Sequence, residues 1–121
     1  PHLGLPAEEA AAQGAATIPV PLRDVDRAIV DDEQDGFVRL HHRRGRIVGA
    51  TIVGPAAGET IALVAYGMRD GRSPADFSSV VFPYPTIGLA LRQAGDAYRP
   101  ASLTPAARRG RDYYFRAVGA R

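Results

Sequence analysis

The chain has 121 residues, 45% of them hydrophobic and 23% charged, which fits one globular domain with its own core. A net charge of +2 demands no acidic partner, although all 15 basic residues are Arg and so stay charged at any working pH. Having no Cys, the chain contains no disulfide, thiolate nucleophile or thiolate metal site, and its apolar runs are too short to span a bilayer as helices. It begins at Pro1 with no charged-then-apolar leader, which reads as a processed chain or an excised domain.

In chain order, residues 6–14 (PAEEAAAQG) read as a short helix, with Pro at the first turn, two Glu at the positive end and Gly as the stop. Residues 17–22 (TIPVPL) are apolar and extended, but Pro19 and Pro21 cannot donate to a ladder, so this is at best an edge strand. Residues 25–35 hold the patch Ala28-Ile29-Val30 among acids, a loop or single helical turn. Residues 36–42 and 46–54 are two β runs joined at Arg43-Arg44-Gly45, where Gly45 can take the positive φ of a tight hairpin. Phe37, Arg39 and His41 share one strand face; Val38, Leu40 and His42 share the other. Gly49 and Gly54 leave room for something to pack closely on the sheet.

Residues 55–70 read as a helix apolar on two sides, with Ile61, Val64, Ala65 and Met68 on one and Leu63 and Tyr66 widening it. Ser73-Pro74-Ala75-Asp76 signals a cap, a first-position proline and a first-turn acid. Phe82-Pro83-Tyr84-Pro85-Thr86 follows as a stiff extended strut, because the prolines fix φ and bias the residues before them toward extended backbone. Thr86 is placed to cap a helix over residues 86–98, and Thr104-Pro105 to start a last one over residues 105–118, carrying Tyr113, Tyr114 and Phe115. Without βαβ alternation the class is α+β, a small antiparallel sheet with helices on one face. Charge divides unevenly: residues 23–36 sum to −4, and the tail 99–121 to +5. These are two solvated faces, or surfaces that attract across a self-associating interface.

Candidate chemistry is sparse. His41 and His42 are adjacent on a strand, point to opposite faces and cannot chelate one ion together; both are expected to face solvent, and no metal site is expected. Glu59 sits where it stabilises a helix dipole. No Ser-His-Asp or Cys-His set is arguable. Tyr84 is the candidate catalytic residue, but spacing alone leaves it either a packing device or part of a site. Its ordinary pKa near ~10 makes it a poor base at neutral pH.

Several stretches together resemble the C-terminal dimerisation domain of the flavin-dependent pyridine nucleotide-disulfide oxidoreductases, the family of lipoamide dehydrogenase, glutathione reductase and mercuric reductase. They are Asp24-Val25-Asp26-Arg27-Ala28, Gly36-Phe37-Val38-Arg39-Leu40, residues 45–54 (GRIVGATIVG), Ala57-Gly58-Glu59 and the strut itself. The resemblance implies a two-fold homodimer, with FAD and NAD(P) bound by upstream domains of a longer cytoplasmic polypeptide and neither cofactor held by this chain alone. It implies residues 1–121 as one dimerisation domain with a basic helical tail at 99–121. Typical members carry a His directly before the Pro-Thr pair, which works on the partner's flavin and disulfide, and a Glu five positions later that orients it. Here Tyr84 and Leu89 stand at those positions, so the dyad is absent and no nearby residue in the sequence replaces it.

The resemblance places Tyr84 at the partner's active site, with Pro85 and Thr86 near its flavin. The dimer interface is expected at Ile61, Val64, Met68, Phe82 and Leu89, on the helices at 61–68 and 86–98. The Phe-Pro-Tyr start is similar to mercuric reductases, where Tyr contacts the bound metal ion, but the C-terminal Cys pair of those enzymes is missing. The alternatives are a non-catalytic dimeric interaction module, or a binder of acidic surfaces through the Arg-rich tail; nucleic acid is not expected as a partner.

Overall fold

Turn chemistry and alternation build a central hairpin from β3 (Phe37–Arg43) and β4 (Arg46–Val53), paired antiparallel. Arg44 and Gly45 both take positive φ, 51° and 78°, the handedness of a two-residue turn that matches strand twist. β2 (Ala16–Pro21) pairs along β3 from Ala16 opposite His42 to Pro21 opposite Phe37. It is an edge strand, as its two prolines require. On the far side of β4 lies β1 (His2–Gly4), giving the order β1-β4-β3-β2. β1 is too short for alternation to announce it. The structure, a computed structural model, describes residues 1–102. The helix expected over 105–118, and most of the basic tail, lie outside the described residues.

Ile47, Ala50 and Ile52 all enter the core, although 47 and 50 are separated by an odd step. A bulge resolves the parity: His41 pairs with Gly49 and His42 with Ile47, leaving Val48 extra. The Val48 carbonyl accepts a hydrogen bond from the Leu5 N–H at 2.9 Å. A side chain on Gly49 would overlap the Leu5 backbone, so the close approach anticipated there is the chain leaving β1. At Gly54 the neighbour is the Leu22 side chain.

The helices are α1 (Ala7–Ala12), α2 (Asp26–Val30, after a 3-10 turn at Leu22–Asp24), α3 (Ala57–Arg69), α4 (Pro74–Phe77) and α5 (Leu89–Ser102). α4 is closed by a capping box: Ser73 Oγ accepts from Ala75 N–H at 3.2 Å, and Asp76 Oδ2 from Ser73 N–H at 2.9 Å. α3 packs on β4 and β1, and α5 on β2 and β3. Between them and the sheet lie Ile18, Val38, Leu40, Ile52, Val64 and Leu91. The fold is α+β, a four-stranded antiparallel sheet backed by helices. Among the described residues no helix is long and apolar enough to cross a membrane.

Three expectations change. His41 is wholly buried rather than solvent-facing, at the end of β3 where Arg43 Nη1 donates to the Gln13 carbonyl and Oε1 beyond α1. Thr86 does not cap α5 with its side chain. Its hydroxyl donates to the Pro83 carbonyl at 2.8 Å, and α5 begins at Leu89 and runs past Tyr98. Val64 is fully buried and has no surface left for a partner. Ile87, just ahead of α5, and Ala90, Leu91 and Ala94 on it are in the core of the protomer.

Candidate functional site

The strut is held at three points. A Cβ on Gly88 would sit 3.1 Å from the Phe82 ring, so that ring lies directly over the turn that enters α5. Phe82 is partly buried and packs against the core. Next, the Thr86 hydroxyl closes onto Pro83. Finally, the Tyr84 hydroxyl donates to Asp26 Oδ2 at 2.8 Å, across 58 positions of sequence. The Tyr84–Pro85 peptide is cis. The ends of the strut are anchored while its middle stands out: Pro83 and Tyr84 are exposed, and Tyr84 keeps 71% of its surface.

Asp26 is itself fixed from below. It opens α2 between Val25 and Ala28, both fully buried, and Ile29 N–H bonds the Val25 carbonyl. Gln93 Nε2 of α5 donates to the Asp24 carbonyl at 2.8 Å, tying the approach to α2 onto the helix that follows the strut. A shallow recess of about 230 Å³ lies between these elements, bordered by Asp26, Tyr84, Leu89, Arg92, Gln93 and Asp96. Arg92 and Asp96 face each other there at 3.9 Å, too loose for a firm ion pair.

In sequence, Leu89 rather than a carboxylate stands five positions after Tyr84. The structure brings Asp26 to it from an acidic segment that looked like solvated surface. The only sequence signal was Asp26 within a family-like stretch, and nothing in the spacing linked it to Tyr84. The hydrogen bond to Asp26 first, then the charge of the same carboxylate, then desolvation raise the Tyr84 phenol above its usual 10.0. The phenol is protonated at neutral pH, a hydrogen-bonding group and not a base.

A second surface adjoins the strut. Leu63 and Tyr66 on the outer side of α3, with Val80 and Val81, are exposed, Tyr66 at 69% and Val81 at 92%. Leu63, Tyr66 and Val80 border a groove of about 380 Å³ that runs between α3, α4 and Phe82. Of the residues expected at an interface, Ile61 and Met68 are partly buried against the core and Leu89 is half-buried. Leu63, Tyr66, Val80 and Val81 are the more exposed apolar side chains beside them.

The histidines form no site with Tyr84. His41 Nδ1 and Thr17 Oγ1 share a hydrogen bond at 2.8 Å, while the buried Nε2 has no hydrogen-bond partner. Burial, then the neighbouring His2 and Arg39, lower its pKa. Burial also lowers that of His42, whose ring meets Tyr98 edge-on at 4.9 Å. Among the described residues no group of His, Cys, Asp and Glu is placed to hold a metal ion.

Residues 2–94 match the family model described as pyridine nucleotide-disulphide oxidoreductase, dimerisation domain. The chain is 36% identical over 94 residues to a dihydrolipoyl dehydrogenase of Haloferax volcanii, covering 73% of this chain and 20% of that protein. It is 30% identical over 100 residues to a mercuric reductase of Shewanella putrefaciens, covering 79% and 18%. The crystal structure of LpdA from Mycobacterium tuberculosis superposes with a TM-score of 0.75 at 27% identity, over 80% of this chain and 22% of that one. The flavoprotein disulfide reductase RclA from Escherichia coli shares the fold, with a TM-score of 0.75 at 21% identity over 79% of this chain and 23% of that one. The chain thus spans about a fifth of the length of these relatives.

Proposed function

Because the chain belongs to the pyridine nucleotide-disulphide oxidoreductase family, as its dimerisation domain, we propose that it joins two copies of a longer flavoenzyme and lends each partner the Tyr84 strut. The outer side of α3, with Val80 and Val81, meets the second copy. The strut then enters the partner's active site, with Pro85 and Thr86 beside the flavin. FAD and NAD(P) are held by upstream domains of the same polypeptide. The carrying observation is the strut: both ends anchored and a polar aromatic standing out between them, which supports the reading, taken from the resemblance, that Tyr84 stands where the family carries its cross-dimer His.

What this chain offers a flavin is an edge and not a cradle. The sequence has no Gly-x-Gly-x-x-Gly turn to hold a pyrophosphate, and Tyr84 is an exposed phenol, fit to touch a ring or an acceptor from one side. Bound FAD supplies two-electron transfer from the nicotinamide to the acceptor. Tyr84 supplies a hydrogen-bonding oxygen at a fixed place, and Pro85 stiffens it. A phenol that keeps its proton at neutral pH cannot shuttle protons as a His-Glu dyad does. The terminal acceptor is therefore one that does not depend on such a shuttle, rather than a standard disulfide.

Flavin absorbance in the full-length gene product tests the cofactor assignment. Tyr84→Phe in that enzyme tests the strut. Turnover is expected to fall roughly tenfold or less, the size of one neutral hydrogen bond. Turnover equal to wild type with every acceptor tried would remove Tyr84 from the mechanism.

A further inference from the structure

We propose that Asp26 is the positioning residue for Tyr84: its carboxylate takes the phenol proton in a hydrogen bond and leaves the phenolic oxygen turned outward as an acceptor. This rests on the reading of Tyr84 as a residue of the partner's site. The ligand class follows from hydrogen-bond bookkeeping. A phenol has one proton and two lone pairs, and the proton is engaged by Asp26 at 2.8 Å. What is left to present to a second molecule is lone-pair density, which suits a group that brings its own proton, a hydroxyl of the substrate. An acceptor-only group would have to displace Asp26 first.

Asp26 is fit for the task because the backbone that carries each partner is held in place, although both side chains are exposed. Val25 and Ala28 lock the backbone on both sides of it, the Gln93–Asp24 bond fixes the approach to α2, and the strut is pinned at Phe82 and Thr86. A charged acceptor also makes the stronger hydrogen bond. Arg92 and Asp96 share the recess, but Arg92 faces Asp96, and the hydrogen bond of Tyr84 goes to Asp26. The carboxylate that orients the site residue therefore comes from α2, while the position five residues after Tyr84 is taken by Leu89, which adds only an apolar wall to the recess.

Two readouts test this. In the 121-residue chain, 13C-tyrosine NMR follows the phenol of Tyr84, assigned by its loss in Tyr84→Phe, through alkaline pH. Wild type is expected to titrate above the ordinary value and Asp26→Ala to return it to about 10. An unchanged titration in Asp26→Ala would overturn the contact and the proposal with it. In the full-length enzyme, Asp26→Ala is expected to slow turnover as much as Tyr84→Phe, with the double variant no slower than either. Asp26→Asn, which keeps an acceptor oxygen, is expected to recover most of the rate. If Tyr84→Phe slows turnover and Asp26→Ala does not, the site reading stands and the positioning role falls. If Tyr84→Phe has no effect, the site reading fails and takes the positioning role with it, whatever the titration shows.

Discussion

The inner side of α5 and the outer side of α3 are built from similar residues and put to opposite uses. Ile87 at the entry to α5 and Ala90, Leu91 and Ala94 on the helix are each at most 5% exposed, closing α5 against β2 and β3. On α3, Val64 points into the same core, while Leu63 and Tyr66 turn outward beside Val80 and Val81. One face is complete within the protomer; the other is an apolar surface of the kind that marks interaction sites. A helix apolar on two sides can serve two neighbours: the inner side of α3 meets its own core, and the outer side is the face we assign to a second copy.

The largest expected effect lies on the closed side. Leu91→Ala should cost about 2–5 kcal/mol in denaturant unfolding, because a fully buried side chain leaves a cavity. A cost below about 1 kcal/mol would mean that α5 does not close the core. Gly95→Ala tests the contact between α4 and α5, where a Cβ would lie 2.6 Å from the Pro74 carbonyl oxygen and 2.8 Å from Ser78 N. Backbone cannot yield as a side chain does, so about 1–3 kcal/mol is expected. Ser73→Ala removes half of the capping box and should cost about 1 kcal/mol. Wild-type stability in either variant would show that α4 is held by something other than these contacts.

A smaller, pH-dependent term also belongs to the closed side. His41 and His42 have folded pKa values below the ordinary one, so the unfolded chain binds protons that the folded chain refuses. Stability from this source is fully present above about pH 6.5. It declines as pH falls below that and is lost below the folded values. Denaturation midpoints at pH 8 and pH 5 should differ less in His41→Gln than in wild type; an unchanged difference would show that burial of His41 does not couple to folding.

Much of this architecture was legible because local chemistry decided it. Prolines at 19 and 21 forced an edge strand, Gly45 a tight turn, and Ser73-Pro74-Ala75-Asp76 a capped helix. Long-range facts were hidden for physical reasons. β1 takes its identity from β4, and the burial of His41 depends on how the end of the sheet is covered. Helical spacing could identify the apolar positions of α3 and α5 but not which neighbour each would meet. The strut was recognisable from Phe82-Pro83-Tyr84-Pro85-Thr86, yet the partner of Tyr84 was not. Asp26 lies 58 positions away, among acids that looked interchangeable until folding singled one out.

The open face decides the account, and sedimentation of the 121-residue chain measures it most directly. Wild type is expected to self-associate as concentration rises. Tyr66→Asp, which places a charge on that face but touches none of the core, is expected to stay monomeric with stability within about 0.5 kcal/mol of the wild-type protomer. A wild-type chain that remains monomeric at high concentration would contradict the assignment of this face to a second copy.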